Sequence, residues 1–141
     1  MDPRTIKALA EMTDEGRFEQ LALGILQHAE PLCAGLSQQG VNASGKTRAS
    51  PVDNIGFVRG ATPPHMVIIH HTTTAERELR AKWMTEASDA SSSRIGDIAK
   101  TAKIVAEERK RTPNLVATLF LTTNREPDER LVRDATALGT K

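Results

Sequence analysis

At 141 residues, 38% hydrophobic and 26% charged, the chain is long enough to bury a core and too apolar to stay unfolded. Aromatic residues are only 3%, with one Trp and no Tyr, which argues against base stacking as the main mode of binding a single strand. The formal net charge of +1 excludes recognition of a polyanion by overall charge, so any nucleic-acid contact must use a local patch.

In chain order, the pattern predicts a short helix over 5–12, interrupted by Asp14-Glu15-Gly16. Phe18, Leu21, Leu23, Ile25 and Leu26 form a helix-like stripe over 17–28, limited by Pro31, and 32–39 reads as a second short helix. The single cysteine, Cys33, has no partner for an internal disulfide, and the Cys-based zinc patterns are absent, which fits a reducing cytoplasm. Residues 40–51, rich in Gly, Ser, Asn and Thr, read as a loop. A strand is predicted over 52–59, a turn at Thr62-Pro63-Pro64, and a strand buried on both faces at Met66-Val67-Ile68-Ile69.

Thr73 and Glu76 have the spacing of a capping box, opening a helix that runs to Thr85 with Glu78 and Lys82 as an i,i+4 pair. A small-residue linker at 88–93 precedes an amphipathic helix over 97–111, with Asp97 and Gly96 as its cap. A buried strand over 115–121 and a helix over 127–138, closed by Gly139, complete the order. Helix, strand, strand, helix, helix, strand, helix describes an α/β domain with a small central mixed sheet flanked by helices. A strand is the expected successor to such a helix, so 1–141 reads as one domain of a longer protein. No signal-peptide core follows the N-terminus and no run approaches membrane-spanning length, so the expected location is the cytoplasm, with no membrane partner.

One motif fits by spacing and fails by context. Gly40-Val41-Asn42-Ala43-Ser44-Gly45-Lys46-Thr47 matches a phosphate-binding P-loop at every fixed position. That device needs a buried strand before it and a helix starting at the Lys. Leu36-Ser37-Gln38-Gln39 is no buried strand, and Pro51 follows four residues after Thr47. The run after 115–121 is Thr122-Thr123-Asn124, without an Asp to hold magnesium. The segment is expected to be a polar loop without nucleotide affinity, with Lys46 and Arg48 in solvent or on a partner's phosphate.

Phe18-Glu19-Gln20-Leu21 at the start of a helix, Ser50-Pro51-Val52-Asp53-Asn54-Ile55, Met66-Val67-Ile68-Ile69, and Leu119-Phe120-Leu121-Thr122-Thr123-Asn124 before a helix fall in a familiar order. In that order the chain resembles the PD-(D/E)XK restriction-endonuclease-like superfamily, Mrr-like members in particular, over nearly its whole length. The resemblance implies a restriction-endonuclease-like fold and a divalent cation, Mg or Mn, that polarises a phosphate and activates water. It casts Asp53 as the central metal ligand and Glu19 as an acid from the first helix. Where the family places acid-x-Lys on the next strand, this chain has His70-His71-Thr72. His70 and His71 become candidate ligands, although imidazole favours softer ions than magnesium. Lys82, on the following helix, becomes the candidate for the relocated Lys, as some members relocate such residues.

Each assignment has a plainer counterpart. Asp53 can cap the turn after Pro51, Glu19 can face solvent, the histidines can be satisfied structural residues, and Lys82 can simply pair with Glu78. His28 and His65 read as exposed and structural, and Trp83 as core. The functions that follow are a metal-dependent nuclease acting on DNA, as a module of a larger bacterial protein such as a defence system, or a catalytically degenerate relative used for nucleic-acid binding or assembly. A P-loop nucleotide binder ranks third. Further domains of the same protein are the expected partners, and a homo-oligomer is compatible.

Overall fold

The β-branched run at 66–69 lies at the centre of the molecule. The computed structural model describes residues 2–12, 14–36, 53–86 and 95–140. In chain order these form α1 (Pro3–Ala10), α2 (Glu15–Ala29), a 3-10 turn (Pro31–Cys33), β1 (Asn54–Phe57), β2 (His65–Thr72), α3 (Glu76–Met84), α4 (Asp97–Arg111), β3 (Val116–Thr123) and α5 (Glu129–Gly139). The phosphate-loop-like motif at 40–47 and the linker at 88–93 lie outside the described residues.

The three strands make one mixed sheet in the order β1-β2-β3. β1 pairs antiparallel with β2, Asn54 opposite Ile69 and Phe57 opposite Met66. β3 pairs parallel with β2 from His65 opposite Val116 to Thr72 opposite Thr123. A parallel pair needs a long crossover, and α3 and α4 lie within it. The expected small mixed sheet flanked by helices is therefore present, with β1 shorter than the predicted 52–59 and β2 and β3 each reaching two residues or more past their apolar runs.

Alternation along β2 divides the core in two. Val67 and Ile69 point to a cluster with Leu23 of α2, Cys33 and Leu36. Met66 and Ile68 point to the opposite face, against Val105 of α4 and Leu115. All four residues of 66–69 are 0–1% exposed, so each contributes about 1.5–3 kcal/mol by burial alone. A third cluster, Leu79 and Trp83 of α3, Ile98 of α4, Leu131 and Ala135 of α5, holds the crossover helices together. Trp83 is core, as its sequence context predicts.

Several local expectations give way to tertiary contacts. Thr73 is not the cap of α3: the cap position is Ala75, with no side-chain hydrogen bond, and the Thr72 hydroxyl instead donates to Thr74 Oγ1 at 2.6 Å. Residues 32–39 do not form a helix in their described part beyond the turn ending at Cys33. Gly139 is the last residue of α5, and its cap, Thr140, keeps right-handed helical geometry. On α2 the buried face is Phe18, Ala22 and Leu23, while Leu21 and Ile25 point outward among the described residues. α1 is tied at its C-terminal end, where Asn124 Nδ2 donates to the carbonyls of Leu9 and Met12 and Arg125 Nη1 donates to that of Ala10.

Candidate functional site

Polar side chains are buried where β2 and β3 end: Asn54, His70, His71, Thr72, Asp97, Thr101 and Asn124. This is the C-terminal edge of the parallel pair, where α/β sheets commonly present their sites. Asp53, just before β1, closes that edge. Its backbone N–H donates to Ile69 O at 3.2 Å, and its Oδ2 accepts from the His71 N–H at 2.6 Å.

Neighbours on a strand face opposite ways, so His70 and His71 belong to different environments. His71 lies on the α2 face, its ring edge-on to Phe18 with centroids 6.3 Å apart. Its Nε2 meets Asn54 Oδ1 at 2.6 Å and its Nδ1 meets Thr122 Oγ1 at 2.6 Å. With an amide oxygen as one partner, Nε2 carries the proton and Nδ1 accepts from the hydroxyl, which satisfies a neutral imidazole completely. Burial lowers its pKa, against the opposing pull of Asp53. Both ring nitrogens of His71 are thus engaged within the protein.

His70 lies on the α4 face. Its Nε2 is 3.0 Å from Thr101 Oγ1, and that hydroxyl donates to Asp97 O at 2.9 Å, so Nε2 is the donor toward Thr101. Nδ1 faces Asp97 Oδ1 at 3.5 Å, and Lys82 Nζ reaches the same oxygen at 3.4 Å. Burial lowers the His70 pKa to about 4; Lys82, Lys100 and His71 add to this, and Asp53 opposes it. The imidazole is neutral near pH 7.

Glu19, on α2, belongs to the Asp53 side. Burial first, then the charge of Asp53, then Glu15 raise its pKa to about 7. Among the described residues neither Glu19 nor Asp53 has a cation within ion-pair distance. The five candidates therefore gather at one edge of the sheet as two groups. Asp53 bonds the His71 backbone on the α2 side, where Glu19 feels the charge of Asp53, and His70 and Lys82 lie on the α4 side, with Asp53 close enough to influence both histidines. Among the described residues no three His, Cys, Asp or Glu side chains stand together as a metal-holding group.

Asp97 is the residue whose role sequence reasoning missed. It is not the cap of α4, whose cap position is Gly96 without a side-chain hydrogen bond. It is 1% exposed, and its pKa is raised by burial against the pull of Lys82 and Lys100. Lys82 pairs with it rather than with the expected Glu78. His65, expected to be exposed, is half-buried, with its Nε2 at 2.6 Å from Thr118 Oγ1. Among the described residues no helix is long and apolar enough to cross a membrane. No protein-family model, curated protein or solved structure matches the chain.

Proposed function

We propose that this domain is a divalent-metal-dependent phosphodiesterase module acting on DNA. The observation that carries the reading is the pair Asp53 and Glu19: a half-buried Glu19 whose pKa is raised first by burial and then by the charge of Asp53, neither carboxylate having a cationic partner among the described residues. Such a pair suits magnesium or manganese, which bind through one or two carboxylates and complete their shells with water and substrate phosphate. The histidines fit less well as ligands, because each ring nitrogen already faces a protein group. When bound, the cation would neutralise phosphate charge and lower the pKa of water. Asp53 would hold it through the oxygen not committed to the His71 N–H. Glu19 would supply the second carboxylate, and Lys82, 35% exposed in its side chain, would offer its ammonium to a substrate phosphate.

The test is cleavage of double- and single-stranded DNA with magnesium, manganese or zinc, wild type beside Asp53→Ala, with the thermal midpoint followed as metal is added. We expect metal-dependent cutting and a metal-dependent rise in midpoint, both lost in Asp53→Ala with the fold intact. Cutting that survives the substitution refutes the role of Asp53. The engaged histidines favour a second reading, a catalytically degenerate domain used for binding or assembly. Wild type that retains DNA but never cuts it would support that reading.

A further inference from the structure

A carboxylate removed from water is expensive unless it is paired and hydrogen-bonded. Asp97 is 1% exposed, and among the described residues its oxygens meet no donor in well-aligned geometry, the nearest being Lys82 Nζ at 3.4 Å. Its one charged contact, 3.4 Å to Lys82 Nζ, is longer than a good charge-assisted hydrogen bond, and the His70 Nδ1 at 3.5 Å belongs to a neutral ring. Replacing a buried ion pair by apolar side chains is often neutral or stabilising, so stability alone does not account for the arrangement.

The backbone is shaped to deliver it. Gly96 immediately precedes Asp97, and a Cβ there would stand 2.7 Å from the backbone N of Thr85 and the backbone C and O of Trp83. Only glycine lets the start of α4 approach the end of α3 this closely. The Gly96 N–H then donates to Thr85 O at 2.8 Å, locking the junction. The approach sets Asp97, first residue of α4, against Lys82 in the last turn of α3. The same residue's carbonyl accepts from Thr101, whose hydroxyl meets His70 Nε2. The Nε2 edge of the His70 ring is thus tied to the Asp97 carbonyl through the Thr101 hydroxyl.

We infer that Asp97 is the positioning residue of the site, its carboxylate holding the Lys82 ammonium at the sheet edge beside Asp53 while its carbonyl, through Thr101, holds the His70 ring. The inference rests on the proposed reading only for what Lys82 then does. A free lysine samples many rotamers and gives up about 2 kcal/mol of side-chain entropy when it is fixed. Asp97 fixes the lysine in advance, holding one side of the ammonium and leaving its partly exposed side toward an incoming phosphate. Lys82 in this place supplies the cation that the strand lacks at Thr72.

The test reads the lysine directly. Wild type and Asp97→Asn, a near-isosteric change checked for folding by circular dichroism, are treated briefly with an amine-acylating reagent, and each lysine is quantified by mass spectrometry. Acylation of Lys82 relative to Lys7 and Lys103 is expected to rise at least about threefold in Asp97→Asn and to return toward wild type in Asp97→Glu. An unchanged ratio in folded protein overturns the inference. In the wild type itself, the Lys82 ammonium protons, assigned by their loss in Lys82→Arg, are expected to exchange with water more slowly than those of Lys7 and Lys103. Equal exchange overturns it even if Asp97→Asn fails to fold. In the cleavage assay, Asp97→Asn is expected to lower the rate at saturating DNA at least tenfold with DNA affinity changed less than twofold. A wild type that does not cut defeats the nuclease reading alone, since the acylation ratio and the proton exchange still decide whether Asp97 positions Lys82.

Discussion

Glu19→Gln isolates the charge conflict at the candidate site. The folded protein raises the Glu19 pKa from 4.5 to about 7, by burial and by the nearby Asp53 and Glu15. The folded state therefore binds more protons than the unfolded chain between these values. The stability contribution of the protonated carboxyl is complete below about 4.5 and lost as the pH rises through about 7. A gap from 4.5 to about 7 corresponds to about 3 kcal/mol, and solvent screening of a partly exposed group reduces the expectation to about 1–2 kcal/mol. Gln cannot ionise, so the variant should be more stable than wild type by about that amount at pH 8.5 and show little gain at pH 4.5. His70 runs the other way: its pKa is lowered to about 4, so its contribution is present above 6.5 and lost as the pH falls through about 4. That dependence is common to both chains and cancels in the difference. The assay is urea unfolding of both proteins at several pH values with a chelator present. A stability difference that stays constant from acid to alkaline pH, or a variant less stable at pH 8.5, would refute the argument.

Two further outcomes test the frame that carries the site. Gly96→Ala should destabilise the fold by about 1–3 kcal/mol through overpacking against fixed backbone, and it should raise acylation of Lys82 alongside; a neutral urea midpoint would show that the α3–α4 junction yields more easily than its geometry implies. Ile68→Ala, in the fully buried centre of β2, should cost about 2–5 kcal/mol by denaturant unfolding, and a loss under 1 kcal/mol would mean that the core between β2 and α4 collapses around the gap.

The amino-acid order alone determined the strands, the long helices and the layered class. Met66-Val67-Ile68-Ile69 is short, β-branched and unbroken by polar residues, which makes a buried central strand, and α4 was legible from its amphipathic period. These signals are local, set by sterics and by hydrophobic period. The tertiary structure alone decided which helix each histidine meets, that Thr122 and Asn54 occupy both nitrogens of His71, and that Lys82 turns from Glu78 four residues away to Asp97 fifteen residues along the chain. An i,i+4 pair on a solvated helix is worth only a few tenths of a kcal/mol, so the local expectation was easily overruled. No period in the sequence connects Asp97 with His70 and Lys82. They meet because Gly96 lets two helices touch at backbone distance, where the buried carboxylate draws in the lysine and the Asp97 carbonyl, through Thr101, takes the imidazole.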